Sequence, residues 1–117
     1  MKFNIPEYGV TQFNRSIKEV IENNFDYLRI KGEISEIKTA TRGQLYLTLK
    51  DDESILSGVI WEQKKKNLKI QPELGMEIIV TGKITTWSKY KTTYQIDIDK
   101  LELSGEGALL KIIEERK

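Results

Sequence analysis

The chain has 117 residues, which is enough for one compact domain around a single core but short for two. Its 19 basic and 18 acidic side chains leave a net charge of +1, so any attraction for a polyanion must be local. The absence of cysteine and histidine excludes disulfides, thiolate or imidazole metal sites, and Ser-His or Cys-His catalytic pairs.

The first periodic segment runs from about Thr11 to Asn24 and has the spacing of an amphipathic helix. Thr11 is expected to be its N-cap. Apolar residues recur every three or four positions along one side, at Phe13, Ile17, Val20, Ile21 and Phe25.

From Tyr27 the period changes to two, which predicts a long strand. The alternation slips at Glu36, and together with Gly32 this predicts a bulge that bends the strand. One face carries Leu28, Ile30, Gly32 and Ile34, and the other carries Arg29, Lys31, Glu33 and Ser35. Residues 39–43 are expected to form a turn.

Two further strands are predicted around the acidic turn at residues 51–53. The first places Leu45, Leu47 and Leu49 inward and Gln44, Tyr46, Thr48 and Lys50 outward. The second places Leu56, Gly58 and Ile60 inward and Ile55, Ser57, Val59 and Trp61 outward. A lysine-rich connector at residues 62–69, with one or two helical turns, ends before Pro72 and Gly75.

The last two strands are predicted from alternation at Ile78, Val80, Gly82 and Ile84, and then at Tyr94, Ile96 and Ile98. The polar residues 88–92 join them as a hairpin loop. Residues 106–117, in which a helical period resumes at Ala108, are expected to begin a linker or helix that leads to a further domain. Residues 1–105 then form one domain.

A helix, three strands, a helical connector and two strands favour a five-stranded Greek-key barrel, the OB-fold. An open sheet packed on the first helix is the alternative. With no run approaching the roughly 20 apolar residues of a membrane span, we expect a soluble, cytoplasmic protein.

Tyr46 and Trp61 are predicted on the outer face of the second and third strands, where OB-folds stack nucleic-acid bases. Lys31 and Lys50 are expected nearby, to neutralise phosphates. The alternative is that both aromatic side chains only cover the helix or the connector.

Basic and aromatic residues also interleave toward the hairpin loop, in a pattern suited to a flexible single strand. They are Lys83, Trp87, Lys89, Tyr90 and Lys91, with Arg42 in the other loop that flanks the cleft. An ordinary solvated hairpin is the alternative. The run Lys64, Lys65 and Lys66 is interpreted mainly as a solvated face.

No residue is predicted to be catalytic, and no metal or other cofactor is expected. The turn Asp51, Asp52 and Glu53 is a single solvated segment, whereas nuclease metals need carboxylates from separate elements. Asp97 and Asp99 alternate with isoleucines and are interpreted as the exposed face of a strand.

Four blocks together resemble the N-terminal region of the exodeoxyribonuclease VII large subunit family. They are residues 10–18 (VTQFNRSIK), 31–35 (KGEIS), 43–51 (GQLYLTLKD) and 104–109 (SGEGAL). The order and spacing of the blocks make the resemblance specific, and it covers nearly the whole chain.

The resemblance implies an OB-fold that holds single-stranded DNA for a metal-assisted nuclease domain beyond residue 106, the catalytic domain to which residues 106–117 would lead. It also implies a small helical subunit as a partner, and DNA binding without cleavage by this chain. The sequence departs from the family where Glu62, rather than arginine, follows Trp61, and where residues 88–91 replace a Pro-Arg-Gly element.

Two other functions stay open from the sequence. The aromatic face could be an assembly module that packs against the rest of the parent chain or another subunit, or the domain could bind RNA. Salt-sensitive binding that tolerates many sequences and depends on Trp61 would favour single-stranded DNA.

Overall fold

The computed structural model describes residues 4–104, and the predicted order of elements is confirmed within that range. The elements are α1 (Val10–Asn24), β1 (Leu28–Thr39), β2 (Leu45–Lys50), β3 (Ile55–Ile60), α2 (Glu62–Lys65), β4 (Glu77–Trp87) and β5 (Thr93–Leu103). The domain boundary after residue 105 and the helical segment predicted over residues 108–117 lie outside the described residues.

The five strands close into one barrel in the order β1-β2-β3-β5-β4. Neighbouring strands are antiparallel except β3 and β5, which run parallel and pair at Gly58 with Ile96 and at Val59 with Asp97. The OB-fold prediction is therefore confirmed, and the open sheet was wrong.

The core forms because alternate side chains of every strand point into the barrel. Leu47 and Leu49 are both 2% exposed, as the alternation of β2 predicts. The predicted bulge in β1 is present, since the register shifts between Ile34 and Glu36. A second shift, between Thr81 and Gly82, lets Leu101 reach the core.

Gly82 permits the close approach of β4 to β5. A Cβ atom at this position would lie 2.0 Å from the carbonyl oxygen of Asp97, far inside contact distance. Gly43 has a φ of 95° in the β1–β2 turn, a conformation that favours glycine. Gly82 thus permits a close approach of two strands, and Gly43 permits a tight turn.

Val59 lies on the outer face, as the alternation of β3 predicts, but this side chain is fully buried. Val59 pairs with Asp97 on β5, so the two side chains share the outer face of the sheet. Lys64 of α2 contacts Asp97 and Asp99 on this face. The short helix therefore covers the outer surface here, and the two aspartates are half-buried rather than exposed as predicted.

Helix α1 begins one residue earlier than predicted. Gly9 is the N-cap, and its N–H donates to Gln12 Oε1 at 3.2 Å, so the prediction of Thr11 as N-cap was wrong. Ile21 packs against the core. The rest of the apolar stripe stays between 40% and 57% exposed, at Phe13, Ile17, Val20 and Phe25.

Candidate nucleic-acid interface

An open groove of about 720 Å³ crosses the outer face of the barrel between the β1–β2 loop and the β4–β5 loop. Its floor is formed by the outward side chains of β2, β3 and β5, including Thr48, Ser57 and Gln95. These residues face outward because they alternate with the core positions. We call this surface the aromatic groove, after Tyr46, Trp61 and Trp87, which also line it.

The three aromatic side chains of the groove come from three separate elements. Tyr46 lies on β2, Trp87 ends β4, and Trp61 follows β3 as the N-cap of α2. Tyr46 and Trp87 are 36% and 50% exposed, and Trp61 is half-buried. Gln44 Nε2 donates to the Tyr46 hydroxyl at 3.3 Å, which orients that ring. Each ring therefore has accessible surface, and that of Tyr46 is also held by a hydrogen bond.

Basic side chains outnumber acidic ones along the aromatic groove. Arg42 and Lys91 approach it from the two flanking loops, and Lys38 lies on its β1 side. Glu36 is the acidic member, and its Oε2 atom lies 3.4 Å from Lys38 Nζ. Because that ion pair offsets the charge of Lys38, Arg42 and Lys91 carry most of the positive charge available to an anion.

Five of the ten predicted site residues lie together in the aromatic groove: Arg42, Tyr46, Trp61, Trp87 and Lys91. Lys31 and Lys50 line a separate depression together with the acidic side chains Glu33, Asp51, Asp52 and Glu77. The charge around that depression is net negative, which does not suit a phosphate.

The three remaining predicted residues lie away from the groove lining. Lys83 Nζ lies 5.6 Å from the ring centroid of Tyr27, a cation–π contact on the outer face of β4. Lys89 Nζ lies 5.4 Å from the ring centroid of Tyr90 in the β4–β5 loop, where Tyr90 is 82% exposed. The loop tip thus presents a cation and an aromatic ring beyond the groove.

Two lysines of α2, Lys64 and Lys65, join the helix to the rest of the barrel next to Trp61. Lys65 Nζ donates to the carbonyl oxygen of Gly43 at 2.8 Å, which joins α2 to the β1–β2 loop. Lys64 Nζ donates to Asp99 and lies 3.7 Å from Asp97 Oδ1, an atom shielded from solvent. The sequence interpretation of these lysines as a solvated face was wrong for Lys64 and Lys65.

The titration of this cluster follows from the contacts of Asp99. Burial alone would raise the pKa of Asp99, but hydrogen bonds from Lys64 and Tyr27 outweigh it, so the pKa is lowered. The hydrogen bond to Asp99 raises the pKa of Lys64, against the opposing effect of burial. It also raises the pKa of Tyr27. The carboxylate and the ammonium are thus the stable forms at neutral pH.

Several polar residues of the groove were missed in the sequence. Thr48 and Ser57 could have been found from the strand alternation, which already placed them outward. Glu36 and Lys38 follow the β1 bulge, where the one-residue slip changes which side chains face outward. Thr48 Oγ1 donates to Glu36 Oε1 at 3.2 Å, which joins the groove residues of β1 and β2.

Neither a metal cluster nor a membrane span is found in residues 4–104. No group of three or more acidic side chains there has a geometry that could hold a metal ion. Helix α1 is 15 residues long, and no helix in this range is long and apolar enough to cross a membrane.

Residues 8–102 match a family described as OB-fold nucleic acid binding domain. Similar proteins include the exodeoxyribonuclease 7 large subunit of Rhodospirillum centenum, 43% identical over 97% of this chain and 22% of that protein. The large subunit of Rhizobium etli is 46% identical over the same shares. The match is to the N-terminal part of these relatives, and the chain spans about a fifth of their length.

Solved structures with a similar fold include the SSB domain of a Synechococcus sp. protein. It has a TM-score of 0.52, is 10% identical, and is matched over 66% of this chain and 93% of that one. The S. pombe Stn1-Ten1 complex has a TM-score of 0.54 and 18% identity, over 78% of this chain and 67% of that one. At these identities the likeness concerns the fold.

Proposed function

Because this chain belongs to the family of OB-fold nucleic acid binding domains, we propose that its aromatic groove binds single-stranded DNA with little sequence preference. The observation that carries the proposal is the convergence of Tyr46, Trp61 and Trp87 with Arg42 and Lys91 in one open groove. Every base offers a π-face for stacking, and loop cations can follow a backbone without reading sequence.

The chemistry of the groove suits an unpaired strand better than a duplex. Stacking needs base faces, which a duplex buries, and each stacked base contributes about 1–3 kcal/mol. Trp61 and Trp87 lie at the ends of two different strands and line one groove, so different bases of one DNA strand can meet separate rings. The small number of cations predicts moderate affinity and a shallow dependence on salt.

The relatives extend the proposal to the parent protein. We place this domain as the N-terminal, substrate-binding part of an exodeoxyribonuclease VII large subunit that degrades single-stranded DNA in the cytoplasm. The metal-assisted nuclease domain would follow in the parent chain, and the small subunit would associate with that later part. The present chain would bind DNA without cutting it, and would need no cofactor.

A second candidate is an assembly module, and the exposed stripe on α1 favours it. Phe13, Ile17, Val20 and Phe25 are between 40% and 57% exposed on one helix face, a feature typical of a contact surface. This face would pack against the rest of the parent chain or another subunit. The isolated domain would then self-associate or bind the missing partner, and it would be indifferent to oligonucleotides.

Fluorescence anisotropy of a labelled, mixed-sequence DNA oligonucleotide tests the proposed function. Titrations at two salt concentrations should show binding that weakens with salt, and Trp61→Ala should weaken it roughly 5- to 150-fold, the equivalent of about 1–3 kcal/mol. Tyr8→Ala is the matched control, because Tyr8 is 46% exposed but contacts Phe13 near α1 rather than the groove.

Two results would contradict the proposal. Equal losses in Trp61→Ala and Tyr8→Ala would place the DNA elsewhere, and indifference to the oligonucleotide at low salt would favour assembly, to be checked by sedimentation. Competition by an RNA of the same sequence tests whether the domain prefers DNA to RNA. Equal competition would show that the groove does not distinguish deoxyribose from ribose.

A further inference from the structure

The aromatic groove continues past Trp61 into a second depression of about 500 Å³, which we call the α2 depression. Its lining includes Trp61, Arg42 and Gln44, which it shares with the groove, and it adds Glu62, Gln63 and Lys66 from the region of α2. We propose that the α2 depression holds a further nucleotide of the bound strand, with Lys66 contacting its phosphate. The inference rests on the proposed function.

The contacts of the lysine run indicate which of its members can serve this role. Lys64 and Lys65 are half-buried and are engaged with Asp99 and with the carbonyl oxygen of Gly43. Lys66, the α2 C-cap, is exposed and lines the depression. Three consecutive lysines thus divide into two that hold the helix and one that presents its charge to the continuation of the groove.

The other end of the aromatic groove provides an internal comparison. Beyond Trp87 lies a depression of about 340 Å³ against α1, formed by residues such as Asn14, Ile17 and Tyr94, and its lining carries no charged side chain. A phosphate on that side would have no lining cation to offset its desolvation. The strand therefore gains more by continuing toward Arg42 and Lys66.

Trp61 is positioned to divide the two sites. Its side chain lines both of them, while its carbonyl oxygen accepts the Lys64 N–H at 2.9 Å and so begins α2. A base can therefore contact the indole from either site. The amides of Gln44 and Gln63 supply hydrogen-bond donors and acceptors for base edges in the α2 depression.

The test is the salt dependence of DNA binding by the full chain and by Lys66→Met. Each phosphate contact to a single strand contributes about −0.7 to the slope of log K against log salt. Lys66→Met should therefore make the slope shallower by about 0.7 and weaken binding about fivefold at 0.1 M salt. Lys69→Met is the matched control. Lys69 is exposed and does not line the depression, so its substitution removes the same charge at a different place.

The outcomes separate this inference from the proposed function. A slope for Lys66→Met equal to that of Lys69→Met, with binding still lost in Trp61→Ala, would overturn the α2 depression while the groove stands. No binding by the unsubstituted chain would overturn both. Thermal unfolding of Lys66→Met should match the unsubstituted chain, so that a change of slope cannot be attributed to misfolding.

Discussion

Replacing Lys64 with methionine should destabilise the barrel more at neutral pH than at pH 3. The substitution keeps the length of the stem and removes the ammonium that contacts Asp97 and Asp99. Both carboxylates then remain on one face of β5 without that cation, and Asp97 Oδ1 is shielded from solvent. Two partly desolvated like charges raise the free energy of the folded state.

The magnitude lies between those of exposed and buried ion pairs. The Lys64 side chain is 35% exposed, and those of Asp97 and Asp99 are 27% and 23% exposed. Exposed pairs contribute up to about 1 kcal/mol, and removal of one partner from a buried pair costs about 3–5 kcal/mol. Discounting for solvent screening, we expect a loss of about 1–3 kcal/mol at pH 7, and a fall in Tm of roughly 4–8 °C for each kcal/mol.

The pH dependence follows from the direction of the two pKa shifts. The pKa of Asp99 is lowered in the folded state, so its contact with Lys64 stabilises the fold above about pH 4 and is lost as the pH falls through the folded pKa. The pKa of Lys64 is raised, so its contribution persists below about pH 10 and is lost as the pH rises further. The stability gap between the two proteins should be largest near neutral pH and should narrow as the pH falls and the carboxylates are protonated.

Urea unfolding followed by circular dichroism at pH 7, 5 and 3 measures this gap. Lys66→Met is the matched control and should stay within about 0.5 kcal/mol of the unsubstituted chain at each pH, because Lys66 is exposed. A gap for Lys64→Met that is the same at pH 3 as at pH 7 would refute the reasoning, since the destabilisation would then come from packing rather than from charge.

Two further substitutions test the fold and the site. Gly82→Ala should cost at least about 1–3 kcal/mol in thermal unfolding, because its Cβ would lie 2.0 Å from the Asp97 carbonyl oxygen. Gly9→Ala has open space around its Cβ and is the comparison, because it should lose only the preference of the N-cap for glycine over alanine. Equal losses in the two variants would refute the steric argument. Glu62→Gln should tighten DNA binding roughly two- to threefold at low salt, because it removes one negative charge from the α2 depression. Unchanged affinity in anisotropy titrations would place the phosphates away from that side chain.

The barrel could be predicted from the sequence because its strands have one face in the core. Leu45, Leu47 and Leu49 alternate cleanly, and the slip at Glu36 correctly indicated a bulge. The burial of Val59 was not predicted, because this side chain lies on the outer face of the sheet, where Lys64 of α2 contacts the neighbouring Asp97. Alternation reports only whether successive side chains lie on opposite faces, and it cannot show that both faces are covered.

The positions of the site residues at strand ends and in loops could be predicted from the sequence. The charges that surround each lysine were predicted less well. Trp61, Trp87 and Arg42 were expected at the cleft and lie together there. Lys31 and Lys50 lie on β1 and β2, and β2 also carries Tyr46. They are at the end of these strands away from the groove, among carboxylates. Glu33, Asp51 and Asp52 are sequence neighbours of these lysines and could have counted against a phosphate site. The partners of Lys64 lie on β5, far along the chain, and could not be read from the local sequence.

The parallel pairing of β3 and β5 is the shortest seam in the barrel, with register partners at Gly58 and Ile96 and at Val59 and Asp97. The aromatic groove lies across this seam, with Ser57 on one edge and Gln95 on the other. A strand of DNA lying in the groove would bridge the two edges from outside. Bound DNA would then stabilise the pairing of β3 with β5. Local opening of the barrel at this pairing would cost more free energy in the complex than in the free protein.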